Sequence, residues 1–510
     1  MAVSNAYQHC DGLLLTFLPR YNEEKRLAER HLYFDVDKLC DIVAQSVGQT
    51  SEDILFFTKF AEGGSYRVFD ILFKNRRNVV VRLPYPCTIP RGYGVASEVA
   101  TVEYLRSQGV PIPKVLGWSA TTTDLLGCEY IIMEKARGKL LDETWYTMDV
   151  EKRKHLMEKI VDVETRLFEI RLPACGSLYF RDSLPMDVGQ SAVDVPGHEG
   201  FCIGPSAEAM WWYHGRDEVQ ANRGPWRSTL DLLTAVGQRE LQWLHKFGRP
   251  RYPCEPLYRE LYSDRKVDPT TQIANLEDYV QVARYPVPPR DDLNLPTLRH
   301  PDLSPRNIFI NDDASEITAI IDWERTAILP AFIHTRVPPH FANFGDEASE
   351  NFTFPTLPQG FSSLPPEQQE EETERFRRRH VYDAAAQPWE GDSTSLKAQI
   401  VNMARNWGGI GTAPGIAGEK PTEFPIQYTE AESEACLARD AEQKAIDAQM
   451  EKFRDHFGCN IDGWVPADMY ADARQKVDDM KGHMLGIAET QDEREDIDQN
   501  WPFQDHEEEP

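Results

Sequence analysis

The sequence has 510 residues, of which 41% are hydrophobic and 10% aromatic, an ordinary composition for a globular protein with two or more lobes. Its formal net charge of −28 disfavours nucleic acid and anionic membranes as partners, and it fits either a cationic substrate or simply high solubility. No apolar run reaches the roughly 18 residues of a transmembrane helix, and residues 1–20 lack the pattern of a secretory signal or transit peptide, so we expect a cytosolic protein.

The first two parts of the chain are a short arm and a strand-rich lobe. Residues 1–50 form the predicted N-terminal arm, and residues 51–135 form the lobe. Within the lobe, β-branched and aromatic runs at 68–73 and 79–83 flank a polar turn and therefore predict a β-hairpin. A helix follows the hairpin, because apolar residues recur at helical spacing over 95–105.

The remaining two parts are predicted to be mostly helical. Residues 136–345 form a second lobe, interrupted at about 173–296 by an insertion with an aromatic cluster. Such aromatics can stack on a flat or cationic substrate, but they more often pack an insertion onto the lobe beneath it. Residues 346–510 begin with a proline-rich stretch, continue as charged helices such as 367–380 and 430–456, and end in an acidic tail whose last residues we expect to be disordered. The aromatic cluster consists of Trp211, Trp212, Tyr213 and Trp226. The succession of a strand-rich lobe and mostly helical parts along the chain predicts the α+β class.

The strongest chemical signal is a loop and hairpin pattern at residues 298–324. His300 and Asp302 precede Asn307, and two short apolar strands then lead to Asp322. Phosphoryl transfer needs a positioned hydroxyl and a divalent metal clamped to the phosphates. Asp302 would accept the hydroxyl proton, while Asn307 and Asp322 would hold Mg²⁺ through hard oxygen ligands once the strands pair. His300 is interpreted as a brace that holds the loop by hydrogen bonding.

Neighbouring residues of the motif have alternative interpretations. Each motif residue alone is a common turn former or cap, but the complete set is seldom accidental. Arg306 is a candidate catalytic residue that would reach a phosphate or Asp302, and the alternative is a surface ion pair. Glu324 could touch a second metal, although a position facing solvent is the safer interpretation. Trp323 is predicted to be a packing anchor.

This motif resembles that of the aminoglycoside phosphotransferase family, whose two-lobed fold is like that of protein kinases. The resemblance continues upstream of the motif. It implies a glycine-containing turn over the nucleotide phosphates, a cation on the third strand that pairs with a helix glutamate, and a hinge between the lobes that receives adenine. The implied nucleotide-binding residues are Gly63, Gly64, Ser65, Arg82, Glu98, Met133 and Glu134.

Two features refine the resemblance. Kinases usually carry lysine where this chain has Arg82. Arginine keeps the positive charge but presents it as a planar guanidinium group and not as a compact ammonium group. The stretches 203–206 and 223–226 look closest to a fungal branch of the family that includes the altered-inheritance-of-mitochondria protein. That branch makes mitochondria an alternative location.

The resemblance implies a phosphotransferase that uses ATP and Mg²⁺. It would transfer the γ-phosphoryl group to a hydroxyl of an unidentified small molecule, with no nucleic acid or membrane as partner. The alternative is a catalytically weak pseudokinase that binds nucleotide or acts as a scaffold. Its motivation is Arg82, a glycine turn shorter than the full kinase pattern, and the long acidic C-terminal part.

Overall fold

The structure is a computed structural model, and its architecture combines antiparallel sheets with long helices, so the predicted α+β class is confirmed. The residues that it describes are 28–123, 126–253, 257–263, 265–334, 341, 365–389, 391, 394–409, 421–458, 465, 469–499 and 501. Most of the N-terminal arm, the proline-rich stretch up to residue 364 and the acidic end of the chain lie outside the described residues. Among the described residues, every helix is too short or too polar to span a lipid bilayer.

The first lobe is a five-stranded antiparallel sheet between two helices. Its elements are α1 (Val36–Ser46), β1 (Ile54–Glu62), β2 (Tyr66–Phe73), β3 (Asn78–Pro84), α2 (Gly94–Ser107), β4 (Val115–Ser119) and β5 (Tyr130–Glu134). The strands lie in the order β1-β2-β3-β5-β4. The predicted hairpin is confirmed as β2 and β3, and the helix predicted after it is confirmed as α2.

The two faces of this sheet have different tasks because side chains alternate along a strand. Phe69, Val81 and Leu83 point to the face that packs against α1, which we call the outer face, and form an apolar core there with Leu39 and Val43. The inner face carries the neighbouring side chains of β2 and β3 and lies against α2. The outer face is therefore apolar, whereas the inner face combines polar groups with the apolar contact of Ile131 with Val95 and Val99 of α2.

The second lobe begins after a short connection and contains more strands than predicted. Its elements are β6 (Lys139–Leu140), α3 (Asp142–Trp145), α4 (Val150–Glu169), β7 (Ser177–Phe180), α5 (Met186–Ser191), β8 (Val193–Asp194), β9 (Phe201–Gly204), α6 (Thr229–Phe247), α7 (Tyr258–Leu261), α8 (Pro269–Val282), β10 (Pro296–Leu298), β11 (Ile308–Ile310), β12 (Ile317–Ile320), β13 (Ile328–Pro330) and α9 (Ala331–His334). The three small sheets are ordered β12-β11-β6, β7-β9-β8 and β10-β13. Apart from β11 and β12, whose apolar runs are visible in the sequence, strands this short carry too little alternation to be predicted.

The aromatic cluster of the insertion mostly packs, which agrees with the interpretation favoured from the sequence. Trp211 and Trp226 are 0% and 1% exposed, and their ring centroids lie 5.0 Å apart in the core. Trp212 is only half-buried and stacks on Tyr93 of the first lobe, with ring centroids 4.4 Å apart. Arg223 covers the same indole at 4.6 Å. Trp212 is thus one of several aromatic contacts between the insertion and the first lobe, beside those of Phe180 with Trp118 and of Phe201 with Tyr104.

The C-terminal part is a set of long helices, and the two predicted helices are confirmed. The helices are α10 (Pro366–Ala386), α11 (Thr394–Arg405), α12 (Glu430–Phe457), α13 (Tyr470–Ile487) and α14 (Gln491–Gln499). Val381 and Leu396, from α10 and α11, share one apolar core with Leu232 and Tyr279 of the insertion. The insertion and the first two C-terminal helices therefore bury each other's apolar faces.

A buried charge network strengthens this attachment. Glu240 of α6 accepts hydrogen bonds from Arg216 at 2.6 and 2.8 Å and from Arg239 at 2.8 Å, and all three side chains are almost fully buried. Burial alone would raise the pKa of Glu240, but the two guanidinium groups hold it below its usual value. Arg239 also donates to the carbonyl of Ala386, and Glu240 accepts from the backbone N–H of Trp389. The end of α10 is thereby fixed to the insertion.

Candidate active site

The motif loop between β10 and β11 folds back so that its acidic and amide residues touch. The loop ends in a short 3₁₀ turn, Pro305–Asn307, in which the Asn307 N–H donates to the Ser304 carbonyl at 3.0 Å. The side-chain amide of Asn307 then donates to the Asp302 carbonyl at 2.8 Å and to Asp302 Oδ2 at 3.1 Å. Asp302 itself is exposed. The structure thus brings these two predicted site residues into direct contact.

His300 lies beneath this loop and connects it to the strand that precedes Asp322. Its Nδ1 accepts the Asp302 N–H at 3.1 Å, so its Nε2 is the donor to the Ile321 carbonyl at 2.9 Å. The Trp323 ring packs edge-on at 4.4 Å and is 1% exposed. Burial lowers the pKa of His300, which keeps the imidazole neutral. This arrangement is that of a brace, with Trp323 as a packing anchor.

A pH titration tests the neutral state of His300. Because burial lowers its folded pKa below the usual 6.5, the imidazole adds stability above that pH, and this stability is lost as the pH falls through the folded pKa. Protonation would also break the bond from the Asp302 N–H to Nδ1. We expect His300→Gln, which keeps a donor and an acceptor, to lose part of this acid sensitivity. The measurement is the free energy of unfolding of both proteins between about pH 7.5 and 5.

The wild type and the variant share His380, whose pKa burial also lowers. Its contribution cancels in the difference between the two proteins. Parallel stability curves over the whole range would contradict a neutral, buried His300.

The hairpin of β11 and β12 carries Asp322 to the motif loop. Ile308 pairs with Ile320, and the next residue, Ile321, donates its N–H to the Asn307 carbonyl at 2.9 Å. Asp322 then adopts a left-handed backbone with φ of 69°, which is uncommon for a residue other than glycine. This local strain ends the strand and turns the Asp322 carboxylate out of the strand alternation. The convergence predicted for Asn307 and Asp322 is therefore present in the backbone.

Arg82 joins the two lobes at this point. Its guanidinium forms an ion pair with the buried Glu98 and reaches Asp322 Oδ1 at 2.9 Å, so it connects α2 to the end of β12. The Tyr66 hydroxyl donates to the other Glu98 oxygen at 2.6 Å, and its ring lies 4.0 Å from the guanidinium carbon. Burial raises the pKa of Glu98, and the charge of Arg82 opposes that rise. The predicted pairing of Arg82 with Glu98 is thus found on the inner face of the sheet.

Two oxygen atoms at this junction suit a hard metal ion. Asn307 uses its amide nitrogen for Asp302, and Asp322 uses Oδ1 for Arg82. Within the described part of the chain, Asn307 Oδ1 and Asp322 Oδ2 have no hydrogen-bond partner. Carboxylate and amide oxygens are the ligands that Mg²⁺ prefers, and it commonly takes only one or two protein side chains plus substrate phosphates. The donor set therefore fits Mg²⁺.

The expectation that Glu324 faces solvent is wrong. Its side chain is only 17% exposed and lies 3.7 Å from the Arg82 guanidinium. Burial, and then the nearby Asp322 carboxylate, raise the pKa of Glu324 to about 7. The reason is local: Asp322 and Arg325 both have positive φ, so the chain reverses within this short segment and points Glu324 inward.

The candidate catalytic role of Arg306 is not supported by its position. Its side chain is 78% exposed and its nearest charged partner is Asp142 at 3.7 Å. The 3₁₀ turn that aims Asn307 inward places its neighbour Arg306 on the opposite side, at the surface. The surface ion pair was the alternative interpretation of this residue, and it is the one that the structure contains.

The glycine turn lies between β1 and β2 and is fixed from several directions. The Gly63 N–H donates to the Tyr66 carbonyl at 2.9 Å, which closes the turn. Arg325, three residues after Asp322, donates to Ser65 Oγ at 3.0 Å and to the Thr88 carbonyl at 2.9 Å. This bridge between lobes was missed from sequence, because nothing but proximity to Asp322 singles out Arg325.

The predicted hinge lies at the end of β5, apart from the motif loop. Met133 is buried and pairs with Val80, whereas the exposed Glu134 pairs with Val79. The Glu134 N–H is occupied by the Lys114 carbonyl at 2.9 Å. These two residues therefore belong to the connection between the lobes, and the structure does not bring them to Asp302.

Comparison with known proteins identifies the family. The model of the phosphotransferase enzyme family matches residues 57–332, more than half of the chain. A subtelomeric hrmA-associated cluster protein of Aspergillus fumigatus is 28% identical over 88% of this chain and 96% of its own length. Altered inheritance of mitochondria protein 9 of Clavispora lusitaniae is 23% identical over 83% of this chain and 76% of its own. An aminoglycoside-3′-phosphotransferase of type VIII of known structure is 14% identical, with a TM-score of 0.33, over 67% of this chain and 99% of its own. The family resemblance and the enzyme class predicted from sequence are thereby confirmed: this chain belongs to the phosphotransferase enzyme family.

Proposed function

We propose that this protein is an ATP-dependent kinase that phosphorylates a hydroxyl group of a small molecule. The observation that carries the proposal is the hydrogen bond from the Asn307 amide to Asp302. Ile321 donates its N–H to the Asn307 carbonyl, and this bond holds the next residue, Asp322, beside the loop. An exposed Asp302 carboxylate held by Asn307, together with oxygens of Asn307 and Asp322 that have no hydrogen-bond partner among the described residues, supports phosphoryl transfer.

In this mechanism each protein group has one task. One carboxylate oxygen of Asp302, Oδ2, accepts the hydrogen bond of the Asn307 amide. The other oxygen, Oδ1, accepts the hydrogen bond of the acceptor hydroxyl. That bond orients the hydroxyl oxygen toward the γ-phosphorus, and Asp302 takes up the proton as the new oxygen–phosphorus bond forms and the bond from the γ-phosphorus to the departing ADP breaks. His300 holds the Asp302 backbone in place from below. The loop thus positions its acceptor before transfer begins.

The phosphates are bound by cations and by the glycine turn. Arg82, oriented by Glu98, and Arg325, beside Ser65, supply positive charge from both lobes. Mg²⁺, held by Asn307 and Asp322, would neutralise charge on the phosphates when bound. Met133 and Glu134 remain the proposed hinge for adenine.

A binding and turnover experiment tests the proposal. The melting temperature of the full chain is measured with ATP, with and without Mg²⁺, for the wild type and for Asp322→Asn. ADP release is then measured in the presence of a pool of hydroxyl-bearing metabolites. We expect a Mg²⁺-dependent stabilisation that Asp322→Asn lacks, together with release of ADP that depends on an acceptor.

The alternative function is that of a nucleotide-binding pseudokinase. It is favoured by one observation, that Arg82 occupies Asp322 Oδ1 at 2.9 Å and so competes with the metal for this carboxylate. Metal-dependent ATP binding without ADP release for any acceptor would support the pseudokinase and contradict the kinase.

The acceptor and the location are also proposals. Solved relatives are named for aminoglycosides, and the proposal here is limited to a small molecule with a hydroxyl group. The cytosolic location expected from composition stands beside a mitochondrial one, since relatives from Clavispora lusitaniae and Komagataella phaffii carry the word mitochondrial in their names. Fractionation of cells that express the full chain separates the two.

A further inference from the structure

One arginine before the family-matched segment contacts the backbone of the glycine turn. Arg30 lies in the N-terminal arm, ahead of α1, and is only 9% exposed. One of its terminal nitrogens donates to the Gly63 carbonyl at 2.6 Å and to the Gly64 carbonyl at 3.1 Å. A single guanidinium therefore binds two consecutive carbonyls of this turn.

This contact fixes the direction of the next two N–H groups. A planar trans peptide points its carbonyl and the N–H of the following residue in opposite directions. Because the carbonyls of Gly63 and Gly64 point to Arg30, the N–H groups of Gly64 and Ser65 point away from it. Neither N–H has a hydrogen-bond partner within the described part of the chain. Consecutive N–H groups that face one side form a concavity suited to anions.

The faces of the sheet show where these N–H groups point. Arg30 stacks on the Tyr85 ring at 4.2 Å, and Tyr85 belongs to the apolar core of the outer face. Arg82 and Asp322 lie on the inner side of the same sheet. The carbonyls of the turn are therefore held on the outer side, and its two N–H groups face the side of Arg82.

The glycine at position 63 supports the inference that a ligand approaches this turn, because the fold does not require glycine there. Its φ is outside the left-handed region, and an added Cβ would meet no atom closer than the Tyr66 carbonyl oxygen at 3.9 Å. A small residue that neither backbone nor packing demands is consistent with a ligand that approaches the main chain.

We propose that Arg30 is a positioning residue for the nucleotide phosphates. It rests on the proposed function, and it adds the N-terminal arm to the nucleotide site. By binding both carbonyls on the outer side, Arg30 keeps the N–H groups of Gly64 and Ser65 turned toward the phosphates and keeps the carbonyl dipoles away from them. The chemical group recognised is a phosphate chain, not the nucleoside.

The test compares ligands with and without phosphates. Affinities of the full chain for Mg²⁺-ATP and for adenosine are measured by calorimetry for the wild type, Arg30→Met and Arg30→Lys. Arg30→Met keeps the apolar stem and removes the donors. We expect it to weaken Mg²⁺-ATP binding about tenfold, the loss of one to two charge-assisted hydrogen bonds, and to leave adenosine binding unchanged. Arg30→Lys, which retains a charge and rotatable donors, should recover part of the loss.

Arg77→Met is the matched control on the same lobe. Arg77 ties the turn between β2 and β3 to the carbonyl of Val47, just after α1, and makes no contact with the glycine turn among the described residues. A general loosening of the arm would affect both variants, whereas a role in phosphate positioning affects only Arg30→Met.

Three results would overturn the proposal. They are unchanged Mg²⁺-ATP affinity in Arg30→Met, an equal loss for adenosine and Mg²⁺-ATP, and an equal loss in Arg77→Met. If Arg30→Met does not fold, the comparison of Arg30→Lys with the wild type decides, and the expected result is a loss of affinity confined to Mg²⁺-ATP.

Failure of the proposed function gives a different result. A wild type that binds Mg²⁺-ATP but never releases ADP refutes the kinase and leaves the Arg30 comparison intact. A wild type that binds no nucleotide refutes both.

Discussion

Asp302→Asn is expected to reduce phosphoryl transfer about a thousandfold while leaving Mg²⁺-ATP binding unchanged. The substitution is nearly isosteric, and an asparagine oxygen can still accept the hydrogen bond from the Asn307 amide. It cannot take up the proton of the acceptor hydroxyl at neutral pH. The loss should therefore fall on turnover. The measurement is the rate of acceptor-dependent ADP release beside the calorimetric affinity for Mg²⁺-ATP.

Asp312→Asn is the control for this variant. Asp312 is exposed and lies in the turn between β11 and β12. Its substitution removes the same negative charge from the same part of the chain. We expect it to retain the wild-type rate. Turnover by Asp302→Asn that equals that of Asp312→Asn would exclude Asp302 as the base.

The parts of the site that sequence predicted are those encoded locally. His300, Asp302 and Asn307 lie within one loop, and β11 and β12 are apolar runs joined by a short turn. A hairpin brings residues that are near in sequence near in space, so Asp322 could be expected beside Asn307. The pairing of Arg82 with Glu98 was accessible only through the family resemblance, because strand β3 and helix α2 carry no local signal of their contact.

The parts that sequence missed depend on backbone reversals and on distant segments. Glu324 and Arg325 take their directions from two residues with positive φ, and neither is glycine, so no residue type marked the reversal. Arg30 precedes Gly63 by 33 positions and reaches it only because α1 packs on the outer face. Charge and exposure could not be assigned to these residues before the faces of the sheet were known.

Arg82→Met is expected to destabilise the protein by about 3 kcal/mol, because it leaves Glu98 buried without its cation. Among the described residues, only the Tyr66 hydroxyl would remain bonded to that carboxylate. Burial already raises the pKa of Glu98, and without Arg82 it should rise further above the usual 4.5. A raised folded pKa gives stability that is present below about pH 4.5 and lost as the pH rises. The defect of Arg82→Met should therefore be larger at pH 8 than at pH 5 in chemical denaturation.

The double variant Arg82→Met, Glu98→Gln separates the structural role of Arg82 from its role toward phosphate. Glu98→Gln removes the unpaired charge and keeps an oxygen for the Tyr66 hydroxyl, so most of the lost stability should return. The guanidinium is still missing, however, and Mg²⁺-ATP affinity should stay low. Arg82→Lys, by contrast, should preserve both stability and affinity. If the double variant recovered nucleotide affinity together with stability, the main task of Arg82 would be to hold Glu98 within the fold, and the phosphates would rely on Arg325 and the glycine turn.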